Sequence, residues 1–375
     1  MTTAYDVAVI GSGIIGLANA WCAAKRGLKV GVFERSPQPQ GATVRNFGMV
    51  WPIGQPAGAP HEIAMRSREF WLELNQSGAL NVEECGSIHL AFREDELAVL
   101  EEFVGLGSHD VQMLSAEEIA SRSCIAKQDG LLGGMWSPTE ARVDPRTAPS
   151  QIAAWLQEKF GVTLHWNTAV VEAGPESIVT GDGQEYSSGR AVICSGSDFE
   201  TLFPSAFADS GLKRCKLQML SCESQSAATS SANRAHLASG LTLRHYTSFQ
   251  QCPSLPKLVE RIQNESPELD QYGIHVMASH FDSGRVVLGD SHEYDDDISP
   301  FNKAEIDELM LRELRKLIHL EDWTVRERWS GIYAKHPTQT VYEDSPHPQV
   351  NILVGPGGAG MTLSFGLAEQ AWQSW

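Results

Sequence analysis

The segment that most limits what this chain can fold into is residues 5–34. YDVAVI, 5–10, is a short apolar run. Gly11-Ser12-Gly13-Ile14-Ile15-Gly16 follows directly, and LANAWCAAKRG carries helical periodicity to Gly27. LKVGVF, 28–33, is a second apolar run, closed by Glu34. Strand, tight turn, helix, strand and acid in this order are the opening of a parallel βαβ unit. The first glycine permits the turn, the second lets backbone approach a pyrophosphate, and the third brings the helix down on the strand. The helix N-terminus offers free amide donors to phosphate. Glu34, 18 residues after Gly16, stands where a carboxylate can accept hydrogen bonds from an adenosine ribose. A glycine turn that merely opened a helix would not need that acid, so the unit is expected to bind a dinucleotide.

The remaining pattern alternates. Residues 36–60 are rich in glycine and proline and form an irregular excursion beside the expected cofactor. Helices are expected over 61–76, 94–107, 115–121, 145–161 and 302–318, with Ser115 and Glu118 spaced as a capping box. Strands are expected at 87–92, 162–166 and 190–194, the last running into Ser195-Gly196, with hairpins before it. Beyond about residue 213 strands dominate, at 216–223, 240–249, 272–281 and 284–290. VNILVG, 350–355, is a buried strand followed by Gly357, Gly358 and Gly360 and an apolar helix start at Met361-Thr362. At 375 residues the chain suits two intimately packed domains or one large α/β unit with an inserted part.

Lys and Arg number 29 against 47 Asp and Glu, a net charge of −18, which argues against nucleic acid and anionic membrane as partners but not against a small anionic substrate. No apolar run is long enough for a transmembrane segment, and no secretory pattern is read, so a cytoplasmic location is expected. The seven cysteines include no CxxC pair and are expected to be reduced. The histidines show no metal-ligand spacing, so no metal is expected; His89, in an apolar run, reads as structural.

No second GxGxxG occurs, which disfavours a flavoenzyme reduced by NAD(P)H on a second nucleotide domain. The strand-glycine-helix unit at 350–370 supplies another helix N-terminus. Two such segments far apart in sequence would hold the ends of one long dinucleotide, which fits FAD better than NAD.

The motifs together resemble the D-amino-acid oxidase, glycine oxidase and sarcosine oxidase superfamily of FAD-dependent oxidoreductases. They are Gly11 to Gly16, Glu34-Arg35, Gly41-Ala42-Thr43, Val192 to Gly196, Arg328-Trp329-Ser330-Gly331, and Gly357-Gly358-Ala359-Gly360-Met361-Thr362. The resemblance implies an α/β FAD-binding Rossmann-like domain interleaved with an antiparallel substrate domain. The implied division is 1–80, 140–212 and 325–375 for FAD, and 81–139 and 213–324 for substrate. Val44-Arg45-Asn46-Phe47-Gly48, Trp51 to Pro56, Leu243 to Phe249 and Cys252-Pro253-Ser254 resemble a narrower branch associated with organophosphonate catabolism. That branch implies 2-aminoethylphosphonate or its N-methyl form as substrate. Positions 41–55 hold no histidine, and Gly331 lies near the place of the flavin-linking cysteine of the sarcosine oxidase type. Non-covalent FAD is expected, with Thr43, Val44, Arg45, Asn46 and Val170 joining the glycine motifs around it.

Oxidising an amine through flavin N5, followed by imine hydrolysis, needs chiefly orientation and a suitable field. Electrons then pass to O2 or another acceptor. An anionic substrate calls for fixed cations. Arg45, Arg244, His245, Tyr246, Arg328, Lys335 and His336 are the candidates, with Arg45, Tyr246, Arg328 and His336 placed nearest the chemistry. If 240–249 is a strand, Arg244 and Tyr246 share one face and His245 takes the other. Tyr272 and His275 are second choices, and Arg142 reads as structural. The alternatives are a glycine, sarcosine or D-amino-acid oxidase or dehydrogenase, and a non-catalytic FAD-binding protein.

Overall fold

A computed structural model describes residues 4–222, 225 and 234–375; Glu223, the last residue of one expected strand, lies outside them. A six-stranded sheet runs in the order Tyr342–His347, Val350–Val354, Ala191–Ile193, Val7–Ile10, Val30–Phe33, Thr163–His165. Its inner strands are parallel, with Val9 paired to both Val192 and Val32, and only Tyr342–His347 is antiparallel. Both faces are covered, which explains why these strands read as unbroken apolar runs. Val7, Val9, Val30, Val32 and Val192 face a helical layer. Ala8, Ile10, Phe33, Ala191 and Ile193 face a layer that includes Val170 and Ile178 of a four-stranded sheet.

The helical layer contains Ile14–Lys25, Ala59–Gln76, Ala148–Phe160 and Gly360–Ser374. Helix Ile14–Lys25 is buried almost all round, so it carries no amphipathic stripe. Trp21 meets Phe70, Trp155 and Phe365 edge-on, with centroids 4.9, 5.0 and 5.3 Å away.

A nine-stranded mixed sheet forms the other half. Strand Lys213–Cys222 pairs along its length with Val325–Lys335, from Lys213 opposite Lys335 to Cys222 opposite Val325. The first part of the 325–375 segment is therefore hydrogen-bonded into this sheet and not into the six-stranded one. The Ser115–Glu118 capping box forms as expected.

The strand expected over 240–249 does not form. Two 3-10 turns, Gly240–Arg244 and Thr247–Gln251, replace it. The Thr242 hydroxyl donates to Ser239 O at 2.6 Å, and the amides of His245 and Tyr246 donate to Thr242 O. Local bonding of this kind competes with a ladder and here wins. The inferred alternation of Arg244, His245 and Tyr246 fails with it. No helix among the described residues is long and apolar enough to cross a membrane.

Candidate active site

A cavity of about 940 Å³ runs from the glycine motif, between the two large sheets, to the wall carrying His245, His275 and His292. At one end Gly11 adopts φ +103°, and a Cβ there would stand 2.4 Å from Cys194 O. A Cβ on Gly16 would stand 1.9 Å from Gly11 O, so Gly16 serves helix–strand approach and does not itself line the cavity. Gly13, Ile14 and Ile15 line it. Thr43 Oγ1 accepts the Ile14 amide at 3.0 Å, fixing the irregular segment to the first turn of the helix. Val44 lies in the 3-10 turn Ala42–Val44 but is not in the cavity wall, a correction to its expected contact with the cofactor. Asn46 reaches the wall and braces that turn, donating to Ala42 O and Thr43 O and accepting from Gly48 N.

Glu34 Oε2 accepts from Ser12 N at 3.0 Å and Ser12 Oγ at 2.8 Å, and Oε1 accepts from Ser36 N. The carboxylate is thus held at the strand end, facing the cavity. Arg35, which also lines the wall, pairs with Asp198 at 2.7 Å. Val170, Ser195 and Gly196 close that side. Across the cavity come Gly331, Gly357, Gly358, Gly360, Met361 and Thr362. Thr362 Oγ1 accepts from Trp51 N at 2.9 Å, and Met361 O accepts from Trp71 Nε1 at 2.8 Å. Two helix N-termini, a trough that a side chain at Gly13 would enter, and a carboxylate facing the cavity fit an extended dinucleotide.

The far wall is where the sequence reading meets its largest corrections. Arg244 turns away from the cavity: its Nη2 lies 3.1 Å from Asp270 Oδ1 and 3.2 Å from Ile274 O. Arg328 pairs with Asp307 at 3.0 Å on an exposed strand face and does not reach the cavity. Tyr272 donates to Glu305 outside it. Arg142 is structural as expected, buried and bound to Glu83 and Arg234 O. Arg45, His245, Tyr246, Lys335 and His336 do line the cavity. Arg45 Nη1 donates to Ser330 O, and Lys335 Nζ stands 3.4 Å from Tyr294 Oη. His336 Nδ1 accepts from Thr338 N and Gln339 N, so it also shapes the turn that follows.

His275, Asp290 and His292 stand in the wall beside His245 and Tyr246. Burial holds the imidazoles of His245 and His275 well below the ordinary histidine range, and His292 is brought down to about 4. The same burial pushes the Asp290 carboxyl well up. Tyr246 and Tyr333 are likewise raised by desolvation and stay protonated. Such a wall presents neutral donors and acceptors to a substrate, with Lys335 and Arg45 as its nearby cations. Asp290 and His292 were legible in part: they stand two apart directly after the apolar run 284–289, a spacing that puts both on one face if the strand continues.

The family model described as FAD dependent oxidoreductase matches residues 6–373. The chain belongs to this family. Glycine oxidase of Geobacillus kaustophilus (strain HTA426) is 28% identical over 221 residues, 52% of this chain and 56% of that protein. An opine oxidase component of Rhizobium meliloti is 24% identical over 235 residues, 58% of this chain and 63% of that protein. The alignments thus span less than two thirds of these curated relatives. In solved structures the likeness extends further. Glycine oxidase from Geobacillus kaustophilus superposes with a TM-score of 0.76 at 19% identity, over 100% of this chain and 94% of that one. L-proline dehydrogenase from P. horikoshii gives 0.74 at 18% identity, over 98% and 92%.

This oxidoreductase binds FAD non-covalently. Cys194 is the one cysteine in the cavity wall among the described residues, and it sits beside Gly11 at the glycine-motif end.

Proposed function

We propose that this oxidoreductase oxidises a small amine bearing an anionic group to an imine that water hydrolyses. The observation that carries this reading is the continuity of the cavity from the glycine trough to a wall of neutral imidazoles and tyrosines with Lys335 and Arg45 at its edge. FAD, when bound, supplies the two-electron acceptor. The protein's residues orient the amine and keep water ordered or out. The Tyr246 phenol donates, its Oη lying 3.4 Å from Met277 Sδ, and its ring lies against Gly54. Lys335 and Arg45 draw the anionic end toward the wall.

Support for a carboxylate as that anion comes from the relatives, whose names specify glycine, opine and L-proline as substrates. The segments 44–48, 51–56 and 243–249 support an aminoethylphosphonate as the second reading. Cys22, Cys85, Cys194, Cys215, Cys222 and Cys252 are unbridged thiols, which supports a cytoplasmic setting. We assign the segments 81–139 and 213–324 to the substrate domain, with contact to substrate coming from 213–324 and from strand Val325–Lys335. Oxygen or another acceptor reoxidises the flavin.

The test is a panel of glycine, sarcosine, D-alanine, L-proline, 2-aminoethylphosphonate and its N-methyl form. Anaerobic flavin bleaching is recorded, then peroxide in air. Bleaching by at least one of them is expected; a flavin that none reduces would leave only the non-catalytic reading.

A further inference from the structure

His245, His275 and His292 come from three separate segments: the end of the turn Gly240–Arg244, the residues before strand Met277–His280, and the residues before strand Glu293–Asp295. Their ligand-capable nitrogens all lie within 4.8 Å of one another. The rings cluster, with His245 tilted against His275 at a centroid distance of 3.8 Å and His275 stacked on His292 at 4.9 Å. Asp290 stands beside two of the three: its Oδ1 is 3.4 Å from His275 Nε2 and its Oδ2 3.8 Å from His292 Nε2.

This cluster is costly as it stands. His275, His292 and Asp290 are only 2%, 7% and 6% exposed. Both ring nitrogens of His275 and the Oδ1 of Asp290 are buried with no hydrogen-bond partner. Native proteins rarely leave several buried polar atoms unmet in one place, and each such atom calls for an explanation. A cation in the middle supplies it. Three neutral imidazoles and one carboxylate are the ligand set of a divalent transition metal. The supporting contact is also present: His292 Nδ1 meets Gly273 O at 3.1 Å, which places the proton on Nδ1 and leaves Nε2 as the lone-pair atom facing Asp290.

We propose that His245, His275, His292 and Asp290 bind a divalent transition metal ion of the zinc class in the wall of the substrate cavity. Tetrahedral contact brings imidazole nitrogens to about 3.4 Å from one another, so the cluster closes by small ring movements. His245, the least buried of the three, opens the site toward the cavity. Lys335, on the same wall, weakens the hold on a cation but strengthens the hold on an anion bound to it. Resting on the proposed function, the ion's role is to receive the carboxylate or phosphonate of the amine substrate and fix its distance from the flavin.

The holoenzyme itself decides this. Metal is removed with dipicolinate, zinc or cobalt is added back, and the protein is desalted before elemental analysis. About one equivalent per chain is expected to remain, and the cobalt form should show the visible bands of low-coordinate nitrogen–oxygen ligation. His275→Gln and His292→Gln should each weaken binding by more than about 100-fold, beyond the roughly 10- to 100-fold that loss of a supporting contact costs, while retaining parental FAD. Removal of the ion should raise KM for an anionic amine and leave an uncharged amine of similar size unaffected. Retention of no zinc or cobalt by the parent would overturn the site while leaving amine bleaching of the flavin intact. Equal retention by both variants would also overturn it. Metal bound at one equivalent in a protein whose flavin no amine reduces would uphold the site and overturn the function instead.

Discussion

Thr43 Oγ1 accepts the amide hydrogen of Ile14 at 3.0 Å, tying an irregular glycine- and proline-rich segment to the first turn of the helix that faces the cofactor. Thr43→Val keeps the shape and removes the acceptor. One net hydrogen bond is worth about 1 kcal/mol, so the FAD dissociation constant should rise by about fivefold. Flavin fluorescence quenching on titration of apoprotein measures it. A variant that binds FAD as tightly as the parent would show that this tie does not shape the trough.

Gly13 differs from Gly11 in what a side chain would do. Its φ of −64° and ψ of 170° suit any residue, and a Cβ there would meet only Thr43 Oγ1 at 3.3 Å. Gly13→Val should therefore fold, yet project into the trough. Intrusion of this kind costs roughly 1–3 kcal/mol, or about 5- to 150-fold in FAD affinity. Circular dichroism should match the parent while the purified protein loses its yellow colour. A fully flavinylated variant would place the phosphates elsewhere.

The cations divide into two groups. Lys335 and Arg45 line the cavity, whereas Arg328 holds Asp307 on an exposed face. A lost charge-assisted hydrogen bond costs roughly 1.5–3 kcal/mol, so Lys335→Ala or Arg45→Ala should reduce kcat/KM for an anionic amine by about 10- to 150-fold. Arg328→Ala should leave kcat/KM at the parental value, and its ion pair should contribute no more than about 1 kcal/mol to stability. Steady-state kinetics on the three variants separates them. Loss of turnover in Arg328→Ala alone would reverse the assignment.

That division shows where sequence reading reached its limit. The turn at Gly11, the close approach at Gly16 and the placing of Gly13 and Glu34 in the cavity wall were legible because they are set within one βαβ unit, whose spacing is itself the signal. The final glycine-helix unit was legible for the same reason. Arg244 and Arg328 were not, because what neutralises them is Asp270 and Asp307. Their placement depends on packing rather than spacing. The strand expected at 240–249 failed because Ser239 and Thr242 bond locally, which an apolar count does not register. The histidine cluster is the extreme case: His245, His275 and His292 show no ligand spacing, and only the packing of a 3-10 turn against the approaches to two strands brings them together.

His89 gives the clearest dependence of stability on pH. It lies in strand Ser87–Ala91 between Trp51 and Phe249, with ring centroids 5.5 and 5.4 Å away. Neither ring nitrogen has a hydrogen-bond partner. Burial alone brings its pKa from the ordinary 6.5 down to about 3. The folded value is the depressed one, so below pH 6.5 the unfolded chain takes up a proton that the folded chain refuses. Stability is therefore complete above that pH and is lost progressively as pH falls toward 3. Between about pH 7 and pH 5 this one residue should account for a loss of about 2 kcal/mol. His89→Phe keeps an aromatic ring between the same neighbours and cannot take the proton. Its absolute stability shifts with the repacking, so the comparison is of slopes. Guanidinium unfolding with saturating FAD should show the parent losing about 2 kcal/mol more than the variant across that interval. The variant should retain an acid limb of its own, because His280, also buried, is brought down to about 4. Parallel stability–pH curves for parent and variant would mean that the His89 ring can reach water or a partner when charged.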